Sequence, residues 1–555
     1  MKQYLRKYFS FALLLTSFVA KSQSIGDIIV ITGQVNPEET IGTFGKINEL
    51  PKIEDTIKKI SPINYSITSK AAETQYQPAQ IFASKMKNEP LKKLYRSLLK
   101  AGYGNYNTPY AEFFINNLRS RDNAFGFRFK HLSSSWDLEN RGFSGFSDND
   151  VQLNAKHFFK KHTLSGEMNY FRNAVHFYGY NPKDFQTDYR DSTRQIFHLA
   201  EIKSNIVSHY TDTNKLNYDI HLNSYYLADR YKTNEFYIGS NALLSSQIKG
   251  EKLHVAVNAD YYKFGSQTDT IGNGIIKLNP YFEASGKKWH ANLGLMAALD
   301  QFSDSTAKFH FYPKLDIYYD VYKSILIPYA GISGDLKKNS FRSLTRINPF
   351  INSNPQLKNT SINMEFFAGF RGQFSSRINY DASISYQNVS DFALYNIDYS
   401  SLLQNRFSVH YADGNVLKVG GQVKYSNREK LNIGAQGYYF RYNMKDLSHA
   451  WHQPDFEIRL NGNYNLQSKI ILKTDFYFIG NQWALQQFNN GSVWVTGPVK
   501  LKGIADINLG AEYRYSKFLS AFVQFNNLAN VRYYRWDRYP TQRFNFMVGI
   551  SFIPF

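Results

Sequence analysis

The residues best suited to chemistry are His449 and His452, in the stretch LSHAWHQP. Two imidazoles three positions apart are a fragment of a site for a transition metal or for haem iron, but such sites are completed by carboxylates or thiolates. This stretch supplies neither, and the 555-residue chain has no cysteine at all. That excludes disulfide scaffolds, thiolate metal sites and cysteine nucleophiles together. The two histidines are therefore expected at the aromatic rim of an external loop, with no metal and no cofactor. A Gly-x-Ser-x-Gly nucleophile elbow, a phosphate loop, a dinucleotide fingerprint and a paired-carboxylate site are all missing. The expectation is a protein with no catalytic residues, not an enzyme.

The elements that carry these residues show a period of two. In Ala505-Asp506-Ile507-Asn508-Leu509-Gly510-Ala511-Glu512-Tyr513-Arg514-Tyr515, odd positions are apolar or aromatic and even ones are polar, charged or glycine. Successive side chains of a strand point to opposite faces, so one face suits lipid and the other water. Asp506, Glu512 and Arg514 then belong to a polar lumen by default. After the turn Ser516-Lys517-Phe518 the pattern resumes at Leu519, Ala521, Val523 and Phe525, which makes a hairpin. Leu253, Val255, Val257, Ala259 and Tyr261 repeat it upstream.

From residue 93 to 555 the chain reads as a large all-β antiparallel transmembrane barrel. The alternating segments number about 22, provided that Arg406 to Ser426 is one long bulged strand and not a hairpin. Short turns at 426–430 and 467–469 alternate with long irregular connections at 340–359 and 486–502, as in barrels with tight periplasmic turns and long external loops. Mean hydropathy is −0.45, and no later run approaches the length of a spanning helix. Aromatic residues make up 17% of the chain, a surplus that aromatic belts at both membrane interfaces account for. The net charge of +20 is dispersed over strands and turns, which points to anionic membrane lipid and not to nucleic acid.

The beginning differs in kind. Met1-Lys2-Gln3-Tyr4-Leu5-Arg6-Lys7, an apolar run to Ala20 and then Lys21-Ser22 form the pattern of a cleaved signal peptide over residues 1–22. Residues 23–92 are rich in Pro, Lys, Glu, Ile and Ser, with a helix expected at most over Ala79 to Lys87. They read as an extended periplasmic or lumen-lying segment with too few apolar residues for a core of their own.

The stretch FNNLANVRYYRWDRYPTQRFNFMVGISF, Phe525 to Phe552, resembles the last two strands of TonB-dependent outer-membrane receptors, and Asn348 to Gly372 resembles their mid-barrel loop and strand. Ala101 to Asn117, Lys130 to Ser135 and His176 to Pro182 resemble the branch whose N-terminal plug is reduced or missing. The resemblance covers the barrel and implies an outer-membrane receptor or transporter. Ile28, Ile29, Val30, Ile31, Thr32 and Gly33 resemble the box that meets an energising periplasmic partner, but no plug body follows them. Phe544, Phe546, Val548, Ile550 and Phe552 form the expected closing strand, read by the barrel-assembly machinery. Pro554 cannot donate to a ladder, so Ile553 to Phe555 are an overhang.

Two functions follow. One is transport of a solute across the outer membrane, with membrane lipid and lipopolysaccharide as surroundings. The other is a non-transporting subunit of an envelope assembly, whose wide lumen is closed by a partner such as a surface lipoprotein.

Overall fold

The computed structural model describes residues 95–554, except 119, 186–188, 213–214, 249–250 and 490–493. The expected signal peptide, the segment 23–92, its possible helix and the box Ile28 to Gly33 lie outside the described residues.

Twenty-two antiparallel strands form a single closed sheet. The first strand, Ser97–Gly104, pairs with the second, Thr108–Asn116, and also with the last, Asn545–Phe552. Closure leaves no edge with unpaired N–H and C=O groups, which hydrocarbon would not satisfy. The period-two pattern survives intact. Phe546, Val548, Ile550 and Phe552 are each more than a third exposed, as are Leu509 and Tyr513 in the strand Ile504–Arg514. These side chains form the outward apolar face, while Asp506 and Arg514 on the opposite face are buried. No helix among the described residues is long and apolar enough to cross a membrane.

From Phe407 on, the stretch Arg406 to Ser426 lies in one strand, Phe407–Asn427. Its register with the following strand, Leu431–Met444, is unbroken. The bulge sits instead on the preceding strand, Ile378–Ile397, between Val389 and Phe392, where Asp391 takes a left-handed φ of 52°. Beyond the bulge Tyr395 and Ile397 pack in one cluster and Leu394, on the opposite face of the strand, in another.

Long and short connections segregate to opposite ends. Connections 338–359, 480–503 and 527–544 lie at one end; 376–377, 428–430 and 467–469 lie at the other, with the two ends of the barrel sequence. The connection expected to be irregular over 486–502 differs from that reading: Gln482–Asn489 and Trp494–Leu501 pair as a separate hairpin outside the barrel sheet. Its alternation is short and carries Gly497 and Pro498, so the sequence signal is weak.

Phe522 is an apolar exception on the lumen side of the strand Leu519–Asn526. Register explains it. Gly102 and Gly549 pair across the closing seam and Phe522 pairs with Gly549, so the ring covers two residues without side chains, an arrangement that compensates for glycine in a sheet. A Cβ on Gly549 would collide with the Phe522 ring and the Ala101 carbonyl. Gly549→Leu is expected to destabilise the closed barrel by about 1–3 kcal/mol. The check is the temperature at which the folded, fast-migrating band disappears on an SDS gel; an unchanged temperature would show that the seam has room.

Candidate functional site

At the long-loop end, several connections fold across the mouth and share one aromatic core. It joins Phe197, Tyr225, Tyr262 and Phe264 of the wall to Phe341 and Leu344 of one connection, Phe407 of another strand, and Trp536 and Tyr539 of the last loop. Burying each large side chain contributes about 1.5–3 kcal/mol, and paired rings add somewhat more. The phenyl ring of Phe350 stacks on Tyr539 with centroids 3.9 Å apart, and Tyr178 meets the same ring edge-on at 4.8 Å.

Polar anchors place each loop. Helix α1, Phe341–Ile347, starts at Ser340, whose side chain forms a reciprocal capping box with Ser343. The Glu235 carboxylate accepts from the backbone N–H of Phe341 at 2.6 Å and of Arg342 at 3.3 Å, and from the Tyr225 hydroxyl at 2.6 Å. An anion at a helix start satisfies orphan donors and complements the helix dipole. Arg342 then reaches Glu201 at 2.8 Å. Across the mouth, Asn405 Nδ2 donates to the Phe177 carbonyl at 2.6 Å, the Tyr178 hydroxyl donates to Pro540 O at 3.1 Å, and the Tyr539 hydroxyl donates to Asn405 O.

His449 and His452 do not form a pair. His449 is half-buried, its ring tilted 32° against Trp483 with centroids 4.0 Å apart. His452 departs from the expected rim position: it is 3% exposed and lies in the core. Its Nδ1 is 2.8 Å from the Tyr395 carbonyl, so it carries the proton, and its Nε2 accepts from the Asp537 backbone N–H at 3.2 Å. Each ring nitrogen is used, with Phe407 and Trp536 against the ring. The loop 445–455 is thereby tied to the strand below and to the last loop. Among the described residues no cluster of three metal-ligating side chains exists. The lumen residues are likewise engaged: Asp506 accepts from Tyr477 at 2.9 Å and from Tyr533 of the last loop, and Arg514 faces Glu512 at 3.8 Å.

Beside this core lies a cavity of about 940 Å³. Arg141, Lys500, Lys502, Arg532 and Arg538 line it, against the two carboxylates Asp184 and Asp537. Tyr180, Phe185, Tyr533 and Tyr534 supply aromatic walls. Asp537 is buried; its Oδ1 accepts from Gln486 at 2.8 Å while Oδ2 has no partner, and burial pushes its carboxyl above the usual range. A cavity of this size with convergent cations suits an organic anion. None of these cations is distinctive in sequence. The available signal was the three-residue spacing of Arg532, Arg535 and Arg538 in VRYYRWDRYP, which folds back over the mouth. A second cavity of about 780 Å³ has the opposite character, lined by Asp391, Asp413 and Asp446 with Tyr411 and Trp451.

Burial lowers the His452 pKa to about 4, below the roughly 6.5 of an exposed imidazole. A proton at Nε2 would confront the Asp537 N–H. The folded mouth therefore favours neutral His452, and this contribution is whole above pH 6.5 and falls as pH drops from 6.5 toward 4. It amounts to about 3 kcal/mol at most. Thermal unfolding of the native protein and of His452→Gln, which keeps one donor and one acceptor without titrating, should diverge between pH 7 and pH 5. The wild type should lose more stability; parallel pH profiles would refute the assignment.

No family model matches the sequence, and no curated protein does. Solved structures do. The FrpB iron transporter from Neisseria meningitidis superposes with a TM-score of 0.63 at 10% identity, over 83% of this chain and 82% of its own. The ferripyoverdine receptor of the outer membrane of Pseudomonas aeruginosa gives 0.59 at 12% identity, over 82% and 71%. The ferric-catecholate import receptor Fiu from E. coli gives 0.59 at 9% identity, over 82% and 81%. At such identities the likeness concerns the fold, and it agrees with the resemblance read at residues 525–552. The chain has the 22-stranded barrel fold of outer-membrane receptors of the TonB-dependent kind.

Proposed function

We propose that this chain is an outer-membrane receptor that binds an organic anion at its long-loop end and moves it through the barrel. The observation that carries the reading is the 940 Å³ cavity with five cationic side chains against two carboxylates. The fold neighbours bear on the solute: they are an iron transporter, a ferripyoverdine receptor and a ferric-catecholate import receptor. A chelated metal wrapped in an organic anion fits a basic, aromatic-walled cavity. No catalytic step and no resident cofactor enter the reading. The alternative, a barrel subunit closed by partner proteins, is less well supported, because the chain's own loops 338–359, 398–406 and 527–544 pack together over the mouth.

In this reading residues 1–22 direct export, residues 23–92 serve the periplasmic side or the lumen, and Ile28 to Gly33 meet an energising partner. The assembly machinery reads the closing strand from Phe544 to Phe552. The long-loop end then faces outward, toward lipopolysaccharide.

Calorimetric titration of the purified mature protein with ferric citrate tests the site. Wild type should bind, and the Arg532→Glu, Arg538→Glu double variant should bind at least about tenfold more weakly, since each charged hydrogen bond contributes about 1.5–3 kcal/mol. Equal affinity in both proteins would remove the cavity from consideration. Deleting residues 28–33 should leave binding intact and abolish cellular uptake of the same chelate; undiminished uptake would rule out energy coupling through that segment.

A further inference from the structure

The outward face of the barrel should be apolar up to the membrane boundary, yet Arg172 stands on it without a partner among the described residues. Arg172 stands on the strand His162–His176, two positions beyond Tyr170 and four beyond Met168. These three residues share a face, because strand side chains alternate. Met168 and Tyr170 are 54% and 41% exposed, so that face is the outward one. Arg172 is half-buried, and among the described residues it makes no hydrogen bond, ion pair or ring contact. The nearby carboxylate of Asp148 is on the lumen face, where it accepts from Asn173 at 3.0 Å.

The neighbours of Arg172 are arranged as a boundary. In register beside it lie Asn149 on one strand and His198 on the other. One row nearer the midplane are Val151, Tyr170 and Ala200, and one row further Leu153, Met168 and Ile202, with Leu153 and Ile202 47% and 55% exposed. Rows are about 7 Å apart along the strand. Aromatic side chains such as Tyr170 mark the headgroup level in membrane barrels, and the next row outward is where lipid phosphates stand. The Tyr170 hydroxyl is 2.9 Å from His198 Nδ1. When that nitrogen accepts the hydroxyl proton, His198 Nε2 carries the ring proton and is left as a donor.

A planar guanidinium with five donors, an N–H donor on the adjacent strand and apolar side chains beneath match a phosphate joined to acyl chains. We propose that Arg172 and His198 form a binding site for the phosphate of an anionic lipid at the long-loop boundary of the barrel. The contrast with another part of the wall is informative. Asn363, Asn388 and Asn415 form a ladder of side-chain amides, at 2.9 and 3.0 Å, which satisfies its own polar groups without an anion. The site depends on the barrel lying in a membrane and is indifferent to what the barrel transports.

The test is native mass spectrometry of the full mature protein in detergent, loaded with dioleoylphosphatidylglycerol. Arg172→Ala should retain about fivefold less lipid than wild type, matching the roughly 1 kcal/mol that a cation contributes at an anionic surface. Arg172→Lys should retain an intermediate amount. Arg459→Ala, which removes an exposed positive charge from the lumen face of the strand Phe456–Leu466, should leave retention unchanged. Equal loss in the Arg172→Ala and Arg459→Ala proteins would mean diffuse attraction and overturn the proposal. So would wild-type retention abolished by millimolar inorganic phosphate, which would mark a site for free anions, or a wild type that keeps no lipid. Heat-modifiable gel mobility identifies any variant whose barrel has not folded, in which case the Arg172→Lys comparison and the phosphate competition still decide.

Discussion

Every backbone N–H and C=O in the spanning region must find a partner within the protein, because hydrocarbon offers none. A sheet meets that demand only by closing, and closure here rests on the seam between Ser97–Gly104 and Asn545–Phe552, at opposite ends of the barrel sequence. Most strand pairings link sequence neighbours, with that seam as the distant exception. Gly102, Gly549 and Phe522 show how closely the seam is fitted: two absent side chains are covered by one ring that would otherwise be misplaced on a polar wall.

Closing 22 strands creates a second constraint. The enclosed space is too wide for wall side chains to fill, and barrels of this size carry a plug of some kind. At the long-loop end the chain supplies packing of its own. Four of its loops are held by buried polar contacts in addition to the aromatic core. Glu235 holds the start of helix α1, Asn405 and Tyr539 bridge the mouth, and His452 ties a fourth loop to the strand beneath it. Such contacts stabilise only while both partners remain, since an unmade buried hydrogen bond is costly. The same loops shape the basic cavity, so under the proposed function solute recognition and closure of the mouth share residues: Asp537 lines the cavity and its N–H meets His452. An occupant that rearranges the last loop would disturb the core that spans the mouth.

Much of the architecture was legible in the sequence because strand pairing in a half-buried sheet has a local signature. Ala505 to Tyr515 alternates so strictly that its two faces need no structure to assign, whereas Arg406 to Ser426 left one long strand and a hairpin both open until the structure showed the strand Phe407–Asn427. The failures occurred where alternation was short or carried no meaning of its own. The hairpin of Gln482–Asn489 and Trp494–Leu501 looks like an irregular loop. His452 looks like a rim residue until Tyr395 and Asp537, 57 and 85 residues away, are seen on its two nitrogens. Arg172 looks like any polar residue in an alternating strand until its face is known.

By itself the sequence determined a membrane-compatible barrel of about 22 strands and the end at which its long loops lie, since those depend on period and spacing along the chain. Only the tertiary structure decided which loops meet, which cations converge on one cavity and which charges lack a partner. Those properties belong to pairs of residues brought together by the curvature of a closed sheet, and no local pattern records them.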